Sequence, residues 1–491
     1  MAQRPVVVGI DSSTQSTKAA VVAAEDGALL AVGRAPHTVT GEGGARESDP
    51  EEWWSALGRA LADGLRQAAV PPAAVTGIAV AGQQHGLVTL DPAGRPLRPA
   101  LLWNDTRSAP QAAALTEALG GPDAWLARTG SVPVAAVTAA KWQWLQEREP
   151  GLAARTAAVR LPHDFLTERL TGAAVTDPGD ASGTGWYDPA KGDYDPGILA
   201  LLGLDPALLP AVAPTGGTRA GTLTRAAAEA LGLPAGIPVA AGTGDNMAAA
   251  VGLGLGTAGL LDHPVVSLGT SGTVFAATRT RATSPGVSGF AATDGGHLPL
   301  GCTLNCTLAV DRIATLLGLD REAAAPGDGL VLLPYLDGER TPDLPHATGL
   351  LTGLRHATTP QALLGAAYEG AVFTVLRALD DVLAACGLDP ADPAVRNRPL
   401  RLVGGGARGR AWTETVRRLS GRPLVVPAAT ELVALGAAAL AAAAATGDDP
   451  VAQARAWGTG EGETLPPLPR DTATWDRIAR VLDRADPLLA G

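Results

Sequence analysis

Cysteine, lysine and long apolar runs are all scarce in this chain, and each scarcity removes a class of protein. There are three cysteines, Cys302, Cys306 and Cys386, too few for a disulfide framework. Cys302 and Cys306 could share a helix face, but no histidine or second pair accompanies them to make a zinc site. All three read as reduced, buried thiols. Three lysines occur in 491 residues and none follows a glycine run, so the classical P-loop is absent. The longest apolar run, 432–446, is mostly alanine and is broken by Gly436. It falls short of the ~20 residues that a membrane span needs. A formal net charge of −11 argues against nucleic acid and anionic membrane surfaces, both of which want a basic face. No cleavable signal precedes the first apolar strand, so a cytoplasmic location is expected.

What is present suits a soluble enzyme with ample core: 46% hydrophobic and 18% charged residues, in a chain long enough for two or three domains. The organising stretch runs from Val6 to Val22. Val6, Val7 and Val8 predict a buried strand. Asp11 follows, then small polar residues up to Lys18, then a returning strand from Ala19. The turn offers hydroxyls and backbone N–H groups, and such concave turns hold phosphates. Asp11 at its mouth suits a hydrated Mg²⁺, which needs only one or two carboxylates. The pattern recurs from Val265 to Ala276, where Gly269-Thr270-Ser271-Gly272-Thr273 stands about where Ser12 to Thr17 stands. Two such hairpins half a chain apart suggest two related halves, divided near Gly256 to Leu261.

Other elements follow from spacing. Asp49, Pro50 and Glu52 form a capping-box signature for a helix from Pro50 to about Gln67, with Trp53, Leu57, Leu61 and Leu65 on one face. Val75 to Val80 predicts a strand ending in Gly82-Gln83-Gln84-His85-Gly86, and Trp103-Asn104-Asp105 comes soon after. Residues 108–160 read as a helical subdomain, and 176–214 as loops. Pro238 to Ala241 is a strand ending in Gly242-Thr243-Gly244-Asp245-Asn246. In the second half come the loop Pro334 to Pro342, a long helix from Pro360 to Cys386, the strand Arg401-Leu402-Val403 with Gly404-Gly405-Gly406-Ala407 after it, and an Ala-rich helix from Glu431 suited to close packing on a sheet. His163 and His37 read as surface histidines.

Asp245 has two open roles. A carboxylate among glycines at a strand end can accept the proton of a substrate hydroxyl, and an aspartate before a helix can cap it. The two roles can coexist.

With these motifs in order, the chain resembles the carbohydrate kinase family of glycerol, gluconate and xylulose kinases, over essentially its whole length. Asp11 to Lys18 matches the family's first phosphate motif, Leu268 to Gly272 its second, Gly404 to Ala407 its adenosine motif, and Asp245-Asn246 the sequence that carries its general base. The xylulose kinase branch carries G-Q-M-H-G, W-N-D and P-Y-L-x-G-E-R-T-P. Here these read Gly82 to Gly86, with Gln84 in place of methionine, Trp103 to Asp105, and Pro334 to Pro342. The resemblance implies an α/β protein of two actin-like (ribonuclease H-like) ATPase domains facing each other across a nucleotide and sugar cleft. Residues 1–257 would bind sugar and carry the base, and 258–491 would bind nucleotide. It implies ATP-dependent phosphorylation of D-xylulose to D-xylulose 5-phosphate in pentose catabolism, or of another ketopentose or polyol such as ribulose. By the same resemblance Asp245 is catalytic, and Gln84, His85, Trp103, Asp245 and Asn246 bind substrate. Ser13, Thr14, Gln15, Ser16, Lys18, Gly269, Thr270, Ser271, Gly405, Gly406 and Ala407 bind ATP, and Asp11 binds Mg²⁺. The expected partners are the ketopentose and ATP, with no nucleic acid and no membrane; a homodimer is the assembly considered.

Two readings from other classes compete. Gly404-x-Gly406-x-x-Gly409 between a strand and a helix has the context of a dinucleotide fingerprint, but the next strand ends at Val426-Pro427 without an acid to take a ribose. A non-catalytic sensor of this scaffold would need no carboxylate in the loop before Asn246.

Overall fold

In the computed structural model, which describes residues 4–489 apart from positions 283, 294 and 345, the valine run becomes the fully buried strand β1 (Val6–Ser12). It turns at Ser13, whose N–H donates to Ser16 O at 3.1 Å, and returns as β2 (Ser16–Ala23). The antiparallel register sets Asp11 opposite Lys18. After β3 (Leu29–Pro36) comes α1 (Pro50–Gln67), which buries Trp53, Leu57, Leu61 and Leu65, the face that the spacing indicates. Its cap differs from the expected reciprocal box. Asp49 accepts from Glu51 N, whereas Glu52 turns away to accept from Thr38 N at 2.7 Å.

The strand β4 (Val75–Gly82) runs parallel to β1, with Ser12 opposite Gly82. Further on lie α2 (Pro162–Thr171), β5 (Arg219–Thr222), β6 (Pro238–Ala240), β7 (Thr243–Gly244) and α3 (Asp245–Gly252). The seven-stranded sheet has the order β5-β6-β4-β1-β2-β3, with β7 paired to β4. The ends of β1, β4 and β7 therefore deliver Asp11, Gln83 to His85 and Asp245 to one edge of one sheet. A satellite core holds the helical subdomain: Trp125, Trp142, Trp144 and Trp186 are all buried in it.

The second sheet repeats the device. β8 (Val265–Leu268) and β9 (Gly272–Phe275) form an antiparallel hairpin. β10 (His297–Thr303) pairs with β9, and α4 (Thr307–Leu317) follows. α5 (Pro360–Ala385), β11 (Leu400–Val403), α6 (Arg410–Ser420), β12 (Leu424–Pro427) and β13 (Gly462–Leu465) complete the layer. The seven-stranded sheet contains the order β10-β9-β8-β11-β12-β13, and β11 runs parallel to β8 as β4 does to β1. α5 passes a length and hydropathy test for a membrane span, but it is the mostly buried centre of this core.

Contacts divide the chain into two compact units, and the chain first passes from one to the other after Gly256. The division is not a single cut along the chain. Gly289–His297 and Glu431–Gly460 cluster with the first unit. The reason is backbone proximity. The Ala-rich helix Leu432–Thr446 lies on β1 and β4 so closely that a Cβ on Gly9 would run into the Ala434 carbonyl, and one on Gly77 into the Ala441 carbonyl. Glycine on the strands and alanine on the helix remove the side chains that would otherwise hold the layers apart.

Candidate active site

At the edge of the first sheet, Asp11 is 3% exposed. Its Oδ1 accepts from Ser13 Oγ at 2.5 Å, and its Oδ2 pairs with Lys18 Nζ at 3.2 Å. Lys18 also pairs with Glu431 at 3.0 Å. Burial works against the lysine's charge, but the two carboxylates outweigh it and raise its pKa. Lys18 thus lies in the β1–β2 hairpin with its ammonium committed to two carboxylates. Thr14 faces Trp103, whose Nε1 donates to Thr14 Oγ1 at 3.0 Å. Gln15 is exposed and Ser16 half-buried.

The Gly82–Gly86 turn is tight. His85 adopts φ +64, a left-handed conformation uncommon outside glycine and a sign of local constraint. Its Nδ1 lies 2.7 Å from Gly183 O, which can only accept, so Nδ1 carries a proton. Gln84 is 5% exposed, and its Oε1 accepts from Asn246 Nδ2 at 2.9 Å. The Gln84 side chain also hydrogen-bonds toward Asp180, which opposes the rise that burial imposes on that carboxyl's pKa. A Cβ on Gly244 would come within 2.7 Å of Gln84 Cγ, so glycine there lets the amide lie against the strand end that leads to Asp245.

Asp245 opens α3, but it does not cap by side chain onto the next turn. Its Oδ1 accepts from Asn246 N at 2.8 Å and from Asn246 Nδ2 at 3.0 Å. Although the residue keeps some accessible surface, its carboxyl is deeply desolvated. Burial, followed by the charges of Asp11 and Asp180, raises its pKa to about 7. That value is matched to accepting a proton near neutrality. Asp11 and Asp245 repel each other through space, an arrangement that a cation would relieve. No group of three or more His, Cys, Asp or Glu placed to hold a metal ion occurs among the described residues, so Asp11 fits a largely hydrated Mg²⁺, not an all-protein metal cage.

Sequence reasoning missed the layer behind these residues. His163 is wholly buried, and His37 is 8% exposed, so neither is the surface histidine expected. His163 Nδ1 lies 2.6 Å from Asp180 Oδ2, and Nε2 lies 3.2 Å from Asp164 Oδ1 and 3.8 Å from Asp177 Oδ1. Burial alone would lower the imidazole pKa; the three carboxylates overcome it and raise it to about 9. Burial also raises Asp177, to about 6, with Asp180 adding to the rise and His163 opposing it. Asp177 is itself held by Thr243 Oγ1 at 2.7 Å. The relevant signal in the sequence is a pair of short acidic turns, Pro162-His163-Asp164 and Asp177-Pro178-Gly179-Asp180, each starting a helix.

In the second unit, Gly269 and Ser271 are half-buried, Thr270 is exposed and Gly272 buried, and Gly269 N donates to Ser271 O at 3.1 Å. Gly404 takes φ +87, which only glycine adopts freely, and a Cβ there would come within 2.7 Å of Leu268 O. The adenosine-type motif thereby lies directly against the second hairpin. Gly405 is exposed, and Gly406 and Ala407 are buried in a short 3₁₀ turn.

Comparisons with known proteins match both units. The model for the N-terminal domain of the FGGY family of carbohydrate kinases matches residues 6–252, and that for its C-terminal domain matches residues 265–445. The chain is 58% identical to the xylulose kinase of Streptomyces coelicolor, over 99% of this chain and 98% of that one. It is 57% identical to the xylulose kinase of Streptomyces rubiginosus with the same coverage. Among solved structures, a xylulose kinase from Rhodospirillum rubrum superposes with a TM-score of 0.86 at 29% identity, covering 99% of this chain and 100% of the other.

Proposed function

Because the chain belongs to the FGGY family of carbohydrate kinases, we infer that it phosphorylates D-xylulose to D-xylulose 5-phosphate with ATP. The observation that carries this reading is the high identity to xylulose kinases along nearly the full length, with Asp245 and both phosphate-type hairpins in place. The two units are read as actin-like ATPase domains, the first supplying the sugar contacts and the base, the second the nucleotide contacts.

Asp245 accepts the proton of the attacking sugar hydroxyl. The oxygen then bonds to the γ-phosphorus as the bond from phosphorus to the ADP oxygen breaks, and ADP leaves. A base with a pKa near 7 is ionised often enough to act and basic enough to draw the proton. The Asn246 amide fixes the Asp245 carboxylate on one oxygen, which directs the other toward substrate. His85, Asn246 and Trp103 read the sugar hydroxyls, and Gln84 sets the choice among ketoses. Ser13 to Ser16, Gly269 to Ser271 and Gly405 to Ala407 take ATP. Asp11 would hold Mg²⁺, which supplies neutralisation of phosphate charge when bound. The dinucleotide reading of Gly404 to Gly409 is set aside, because that motif packs against a phosphate-type hairpin.

A second reading rests on Gln84. An amide beside Asn246, where the xylulose kinase branch carries a thioether, changes the polar groups offered to a sugar, so another ketopentose such as ribulose is the rival substrate. The test of the reaction is product identification. ³¹P NMR of the protein with ATP, Mg²⁺ and D-xylulose should show one ADP per sugar phosphate, with the new resonance coupled to the C5 protons. ATP hydrolysis without sugar phosphate would refute the kinase reading.

A further inference from the structure

The motif Pro334 to Pro342 has no role in the chemistry above, yet its glutamate is among the most tightly held side chains of the second unit. Glu339 is 1% exposed. Its Oε1 accepts from Leu304 N at 2.5 Å and from Arg340 N at 2.8 Å. Its Oε2 accepts from Asn305 N at 3.2 Å and Asn305 Nδ2 at 3.1 Å. Asn305 Nδ2 also donates to Gly338 O at 2.7 Å, so the clamp closes from both sides. A carboxylate is the one side chain that can accept from this many N–H groups at once.

The clamped segment, 303–307, joins β10 to α4, and it touches both nucleotide-type motifs. Thr303 is the strand partner of Gly272, and its Oγ1 donates to Gly272 O at 3.4 Å. Thr307 donates twice to Gly269 O, from N at 3.1 Å and from Oγ1 at 2.8 Å. A Cβ on Gly406 would come within 3.1 Å of Thr307 Cγ2. The second hairpin is therefore held at Gly269 and Gly272 by the residues on either side of the Glu339 clamp. Its own turn contributes a single backbone bond, Gly269 N to Ser271 O.

We propose that Glu339 is a positioning residue for nucleotide binding, fixing the 303–307 segment and through it the geometry of the Gly269–Gly272 turn. This rests on the reading that the turn holds ATP phosphates. It gives the motif a task at the nucleotide rather than at the sugar. Replacing one acceptor oxygen by an amide nitrogen turns an acceptor toward N–H donors into a third donor, so Glu339→Gln disrupts the clamp with almost no change in volume.

The test measures both ligands separately in the full-length protein. ADP binding is followed by calorimetry with Mg²⁺, and D-xylulose binding by tryptophan fluorescence without nucleotide. Glu339→Gln should weaken ADP by about tenfold or more, the scale for losing hydrogen bonds to a charged group, and leave the D-xylulose Kd within about twofold. Asn305→Ala and Thr307→Val, which cut the same path at other points, should weaken ADP selectively by smaller factors. They decide the matter if Glu339→Gln fails to fold. ADP binding at wild-type strength in the folded variants, or equal weakening of both ligands, would overturn the proposal. A wild-type protein that binds D-xylulose but not ADP would instead overturn the nucleotide reading on which it rests.

Discussion

Replacing Asp245 by asparagine removes the base while keeping its surroundings. The amide oxygen can still accept from Asn246 N and Nδ2, the two bonds that the Asp245 Oδ1 makes, so the start of α3 is undisturbed. A positioned general base contributes about 10²–10⁴-fold, or ~2.7–5.5 kcal/mol of barrier. Turnover of D-xylulose, followed as ADP release in a coupled assay at pH 8, should fall by that factor. The pH dependence gives a second handle. The folded-state pKa is raised to about 7, so kcat/KM of the wild type should decline about tenfold per unit below pH 7 as the base is protonated, and the residual activity of the variant should lack that limb. Stability moves the other way. A raised carboxylate pKa means the folded state disfavours ionisation, a penalty present above the unfolded value and fully developed at pH 8. The asparagine variant should therefore melt no lower than wild type at pH 8. A folded variant within tenfold of wild-type turnover, or one that keeps the acidic limb, would refute the assignment.

Three further perturbations test neighbouring parts. Gln84→Met should cost less than tenfold in kcat/KM for D-xylulose and change the ratio of D-xylulose to ribulose turnover; an unchanged ratio in the sugar panel would remove Gln84 from specificity. His163→Ala leaves Asp164, Asp177 and Asp180 buried without their cation, a loss on the scale of ~3–5 kcal/mol that should lower the urea midpoint. Because the His163 pKa is raised to about 9, its stabilisation is fully present below the ordinary histidine value and lost as pH rises through 9; wild type should show that decline and the variant should not. Gly9→Ala drives a methyl into the Ala434 carbonyl and should cost ~1–3 kcal/mol by overpacking, read as a lower melting temperature; an unchanged one would contradict the close helix–strand packing.

Much of the scaffold was legible because local pattern and tertiary need coincide in it. The valine run, the polar turn and the repeat at Val265 announce two hairpins. The apolar stripe of Trp53, Leu57, Leu61 and Leu65 announces α1 within a residue. The glycines before Asp245 and at 404–406 mark places where backbone must approach backbone. The misreadings have physical causes too. His163 is polar and follows a proline, like many surface histidines; only the fold brings Asp177 and Asp180, distant in sequence, around it. Glu52 matches a capping box by spacing, yet its carboxylate accepts from Thr38 N in the loop after β3. The helix from Glu431 follows the second-unit strands in sequence, but only the Ala and Gly faces reveal that it packs on β1. Glu339 was quoted as part of a motif, while its clamp on Leu304 and Asn305 depends on a loop crossing that spacing does not encode.

The central claim is that this chain is a ketose kinase selective for D-xylulose. Its most direct test is kcat/KM with ATP and Mg²⁺ across D-xylulose, ribulose, glycerol, gluconate and an aldopentose. The account predicts the highest value for D-xylulose by at least about tenfold, because a site that hydrogen-bonds substrate hydroxyls strands its own polar groups when a hydroxyl is missing or misplaced. Preference for ribulose would move the assignment to the rival ketopentose. Preference for glycerol, gluconate or the aldopentose would contradict it.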